Sequence, residues 1–241
     1  MAGRRAWASA WAWAAGLLVS APAHADGRLT EPERVWTDAA RPVLAEARRA
    51  RLPLDIVVQP QPNAGEPPLA IAFIGERCKL VLTMRGPDGG PLEDARLDAA
   101  LPAVLIEAMV AHELGHCWRH ARGDWHAWPA GFDAPRPSSP TAAHAASQRA
   151  ARPDRVEAAR REEGFADLVA LAWTLQRDPA AYAFVHGWLT AQRADPAHDG
   201  AEHDTRAWVR AARDPAAFGP PGPLFERARR LWAEVDPAQA H

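Results

Sequence analysis

Apolar and polar positions change rhythm twice along this chain. Between residues 31 and 51, Val35, Ala39, Val43, Leu44 and Ala47 recur every three or four positions, which predicts a helix with one apolar side, broken at Pro42. The rhythm then shortens. LDIVVQP (54–60), LAIAFIG (69–75) and CKLVLTM (78–84) are short, β-branched runs separated by the proline- and glycine-bearing stretch NAGEPP and followed by RGPDGG, so three strands are expected. From Asp98 the helical period returns. In DAALPAVLIEAMVAHELGHCWRH the positions Leu105, Ala108, Met109, His112 and His116 fall on one stripe, with Pro102 suited to a first turn and Gly123 to a stop. Residues 124–153 hold five prolines and no periodicity, and are expected to be a flexible insert. A strong helix follows over 153–178, with Phe165, Val169, Ala172 and Trp173 on its apolar face, and three more helices are expected at 181–192, 202–212 and 224–235. The expected fold class is α+β: a small N-terminal β-sheet packed on the helix around residue 112, then a mainly helical C-terminal part.

Composition narrows this picture modestly. A chain of 241 residues, 48% hydrophobic, can bury one real core. Its net charge of −2 gives no electrostatic reason to expect a nucleic-acid partner. Residues 1–25 differ from the rest: Arg4 and Arg5 precede the apolar AWASAWAWAAGLLVS, and APAHA ends in an A-x-A pattern. These features predict a signal peptide cleaved after Ala25, because the apolar run is shorter than the ~20 residues that span a bilayer. The mature part, 26–241, is then expected to be periplasmic or secreted, with no membrane span. Cys78 and Cys117 are the two cysteines, and an oxidising compartment favours a disulfide between them over two free thiols.

The chemistry concentrates in VAHELGHCWRH (110–120). Residues four apart on a helix share a face, so His112 and His116 can hold one ion from the same side. Glu113 lies about 100° further round, placed to reach a water on that ion without ligating it. This is the H-E-x-x-H arrangement of zinc hydrolases, with the glutamate as general base. A catalytic zinc takes three protein ligands and keeps one open position. A metzincin would need glycine at 119 and histidine at 122; Arg119 and Arg122 exclude that class. His120 lies a turn too far along the helix, while His126 and His144 remain open as ligands. The stronger candidate is EEGFAD. Glu163 and Asp167, four apart on a second helix, can complete a His2Glu site and orient a ligand histidine respectively. Glu162 competes for the ligand role but has no aspartate four residues on.

With H-E-x-x-H followed by E163-G-F-A-D167, the sequence resembles the gluzincin metallopeptidases, and most closely the M48-type and other small minigluzincin peptidases, over about residues 70–210. The resemblance implies a zincin-like fold, Zn2+ as cofactor, and a peptide or protein as substrate. It implies Glu113 as the catalytic base and a downstream histidine or tyrosine as oxyanion stabiliser. His203 fits that role best by position, with His198 and Tyr182 as rivals. Residues 80–84 precede the helix where zincins place an edge strand that pairs with an extended peptide; an ordinary core strand is the alternative. A different class, a non-catalytic zinc-binding scaffold, would have no use for Glu113, which is not needed to hold the ion.

Overall fold

The computed structural model describes residues 29–61, 67–86, 101–123, 152–194 and 203–235. The expected signal peptide, His126, His144, His198 and nearly all of the 124–153 insert lie outside these residues. The described part is mixed α and β, with one three-stranded sheet and mostly helical content.

Helix α1 spans Glu31–Arg49. Thr30 and Glu33 form a capping box, in which the Thr30 amide donates to Glu33 Oε2 at 2.7 Å. The helix runs through Pro42 without the expected break. An interior proline costs about 3 kcal/mol or more. Burying Trp36, Val43 and Leu44 on the inward face returns roughly 1.5–3 kcal/mol each, and the packing wins.

Strands β1 (Leu54–Pro60), β2 (Leu69–Ile74) and β3 (Arg77–Arg85) form the sheet in the order β1-β3-β2. β3 runs parallel to β1 and antiparallel to β2, with Leu54 opposite Cys78 and Leu69 opposite Leu82. Gly75, at φ 61°, makes the tight turn between β2 and β3 in the left-handed region that glycine adopts freely. Residues 80–84 therefore lie in the central strand and not at an edge, which corrects the edge-strand expectation. Cys78, Leu80, Leu82 and Met84, alternate residues on one face of β3, are all buried where α1 and α2 pack against the sheet.

Helix α2 (Ala103–Ala121) packs on α1 and on β2 and β3. A disulfide joins Cys117 of α2 to Cys78 of β3. One turn further along α2, the His120 ring stacks on Phe73 of β2 at 4.2 Å. Helix α3 (Arg152–Arg177) lies across α2. Gly115 makes this approach close: a Cβ there would stand 3.0 Å from Ala166 Cα. Beside that crossing, Arg119 Nε and Nη2 of α2 each donate to Glu162 of α3 at 2.7 Å, both residues being buried.

A 3-10 turn at Pro179–Ala181 leads into α4 (Tyr182–Arg193), which is followed by α5 (Arg206–Ala211), a second 3-10 turn at Pro215–Phe218 and α6 (Leu224–Glu234). The helix expected from residue 202 begins only at 206, so His203 stands ahead of it in the chain. α6 covers α3: Trp232 Nε1 donates to the Arg161 carbonyl at 2.6 Å, and Phe225 stacks on Trp118 of α2 at 5.5 Å. α5 buries Trp208 against Gly164, where a Cβ would meet the indole at 2.4 Å.

Candidate metal centre

The α2–α3 crossing sets the site. With Gly115 and Ala166 in contact, His112 and His116 on α2 face Glu163 and Asp167 on α3. His112 Nε2 lies 3.2 Å from His116 Nε2 and 3.3 Å from Glu163 Oε2, and His116 Nε2 lies 3.4 Å from Glu163 Oε1. One donor atom from each of His112, His116 and Glu163 falls within 4.8 Å of the others, and the buried trio could hold a metal ion.

Asp167 holds this arrangement in place. His112 Nδ1–H donates to its Oδ1 at 3.0 Å, which leaves Nε2 turned toward His116 and Glu163. Arg193, the last residue of α4, donates from Nη2 to Oδ1 at 2.6 Å and from Nε to Oδ2 at 2.8 Å. The Thr205 hydroxyl donates to Oδ2. Asp167 is wholly buried, and a buried carboxylate is tolerated only when its lone pairs are filled in this way.

Burial and charge move the titrations apart. Burial opposes ionisation of Glu163 and Asp167. The imidazoles of His116 and His112 nonetheless hold Glu163, and Arg193 with His112 holds Asp167, below the usual carboxylate range. For His112, burial is outweighed by its bonds to Asp167 and Glu163, and its pKa rises to about 10. His116 is pushed down to about 3, mainly by burial. The two imidazoles are thus shifted in opposite directions, and a cation at the centre would compete with a proton for His112 Nε2. Glu113 is raised to about 8, first by burial and partly offset by the charge on His112. Its Oε2 is buried and makes no hydrogen bond.

His203 is buried and close enough to Glu163 to help hold that carboxyl low. Thr205, two residues on, bonds Asp167 and so ties the segment bearing His203 to the centre. Tyr182 is different: its hydroxyl donates to the Ala212 carbonyl at the C-terminal end of α5. Glu162, the rival ligand, is paired with Arg119. Arg193 and Thr205 were not found by sequence reasoning. Thr205 stands two residues after His203 in HDT, the nearest thing to a signal, whereas nothing in the sequence marks Arg193. Comparison of the chain with known family patterns, with curated proteins and with solved structures gave no match.

Proposed function

We propose that this protein is an exported, zinc-dependent metallopeptidase of zincin-like, gluzincin-type architecture, acting on peptide or protein substrates. One observation carries the reading. His112 Nε2 and His116 Nε2 stand 3.2 Å apart and face the two oxygens of the Glu163 carboxylate at 3.3 and 3.4 Å, a buried pair of imidazoles and one carboxylate of the donor set that a catalytic zinc takes. Glu113 lies close enough to feel the charges of His112, Glu163 and Arg193, and carries a buried oxygen that has no hydrogen bond. A site that only stored the ion would gain nothing from a buried carboxyl group, which costs free energy to desolvate. The Cys78–Cys117 bond supports export, since such bonds persist in oxidising compartments.

When bound, zinc supplies Lewis acidity that brings the pKa of a water to ~7 and polarises the scissile carbonyl. Glu113 accepts a proton from that water and passes it to the departing amine nitrogen. Burial raises the Glu113 carboxyl to about 8, and a divalent cation held beside it would favour the carboxylate form, the one that accepts a proton. His203 donates to the carbonyl oxygen as negative charge builds there. Asp167 keeps His112 in the Nδ1–H tautomer, and Arg193 and Thr205 keep Asp167 from turning.

The test is metal analysis of the purified protein together with hydrolysis of a peptide library. The wild type should carry about one zinc per chain, the number one His2Glu set holds. Glu113→Gln should retain that zinc and lose hydrolysis, because only the proton acceptor is removed. Hydrolysis by Glu113→Gln at the wild-type rate would overturn the role of the base. Zinc-loaded wild type that cleaves no peptide would favour the scaffold reading.

A further inference from the structure

A second charged group is buried without a use in this chemistry. Arg227 of α6 is only 6% exposed, and its Nε is buried with no hydrogen-bond partner. Arginine stays protonated at any working pH, so this is a permanent cation taken out of water. Such a charge is costly unless an anion or acceptors face it. The Phe218 ring supplies only a weak partner, its centroid 5.9 Å from the guanidinium carbon. Arg230, one turn along α6, adds a second positive charge: it repels Arg227 and folds over the turn, its Nη2 3.7 Å from where a Gly219 Cβ would stand.

The neighbouring acids are engaged elsewhere. Glu226 pairs with Arg229, and Asp214 accepts the Ala216 amide at 2.9 Å as a cap of the 3-10 turn. The Tyr182 hydroxyl, the other polar group beside Arg227, donates to Ala212. Among the described residues, then, two arginines converge on one turn with no carboxylate in ion-pair range of either. Gly219 and Gly222 border them: Gly222 leaves the Arg227 stem passing 3.9 Å from its would-be Cβ, and neither glycine carries a side chain to block approach from solvent. None of the groups that act on Arg227 belongs to the metal centre.

We propose that Arg227 and Arg230, with the turn 218–222, form a binding site for an oxyanion of the carboxylate or phosphate class borne by a molecule other than this chain. The guanidinium fork of Arg227 matches either group in a bidentate way, and Arg230 closes the site from the exposed side.

The experiment titrates the zinc-loaded protein with inorganic phosphate, with acetate and with chloride as a control, reading heat and thermal midpoint. Saturable binding of phosphate or acetate, and a midpoint that rises with it, is expected for wild type. The tighter of the two identifies the source class, a free phosphate or a carboxylate-bearing molecule. Arg227→Met keeps the length of the stem and should weaken binding about tenfold or more, since a charge-assisted bidentate contact is lost. In anion-free buffer the same variant should melt at or above the wild-type midpoint, because an unpaired buried charge has been removed. Arg230→Gln, at an exposed position, provides a second reading that folding defects do not obscure, with binding again weakened. Binding that both variants retain at wild-type strength, or that chloride matches, overturns the proposal. So does a lowered midpoint of Arg227→Met in anion-free buffer with no change in affinity.

Discussion

Asp167 gathers hydrogen bonds from three separate parts of the chain: His112 of α2, Arg193 of α4 and Thr205 ahead of α5. It is the residue through which the ligand geometry and the position of His203 are linked. In the proposed hydrolysis, carbonyl attack builds charge on an oxygen that needs a second donor, and His203 is a buried histidine outside the ligand set that acts on Glu163. His203→Ala should therefore lower kcat by about 100-fold or more, the usual cost of losing one oxyanion donor. Zinc content should be unchanged, because His203 holds no ligand directly. Equal rates for His203→Ala and wild type would pass the role to His198, since the Tyr182 hydroxyl is occupied by Ala212. At this scale, legibility followed distance along the chain. His112, Glu113 and His116 could be read because their spacing is local, and Glu163 with Asp167 for the same reason. Arg193 and Thr205 reach Asp167 across 26 and 38 residues, and no periodicity marks such a pairing.

Between elements, the decisive contact is Gly115 against Ala166. Alanine forms helix more readily than glycine by about 1 kcal/mol, so Gly115→Ala would strengthen α2 were it alone. In place, its methyl group would stand 3.0 Å from a backbone carbon of α3 and 3.3 Å from a Val169 methyl, and the helices must part. The expected result is a lowered melting temperature together with weaker zinc binding, since His112 and His116 move away from Glu163. A raised melting temperature with wild-type affinity would show that the crossing has room to spare. The helices themselves were visible as apolar stripes, and so was the switch from sheet to helix. The position of β3 was not: CKLVLTM is as apolar as either a central or a half-covered strand, and only pairing with β1 on one side and β2 on the other decides. The Arg119–Glu162 pair was equally hidden. Glu162 lies in ARREEG (159–164), whose charges read as a solvated face, yet Trp232 at 4.5 Å and Phe165 at 5.5 Å enclose the Arg119 guanidinium that pairs with it.

Over the whole molecule, the sheet and the ligand helix are one covalent unit. The Cys78–Cys117 bridge spans 39 residues, and closing a loop of that size is worth about 4 kcal/mol in the chain-entropy model. Replacing both cysteines with alanine should lower stability by about 2–5 kcal/mol. Amide exchange should quicken more in α2, around Cys117, than in α6, which no bridge restrains. Equal acceleration in both helices would mean that the bond stabilises the molecule only globally. The bridge also sits one residue from His116 of the candidate metal centre, so the redox state of the two cysteines bears on how firmly that centre is held. A copy held among reducing thiols would carry the same imidazoles on a looser helix. On the proposed reading it would take up zinc less tightly than a copy whose bridge is closed, so cysteine oxidation and metal loading would be coupled.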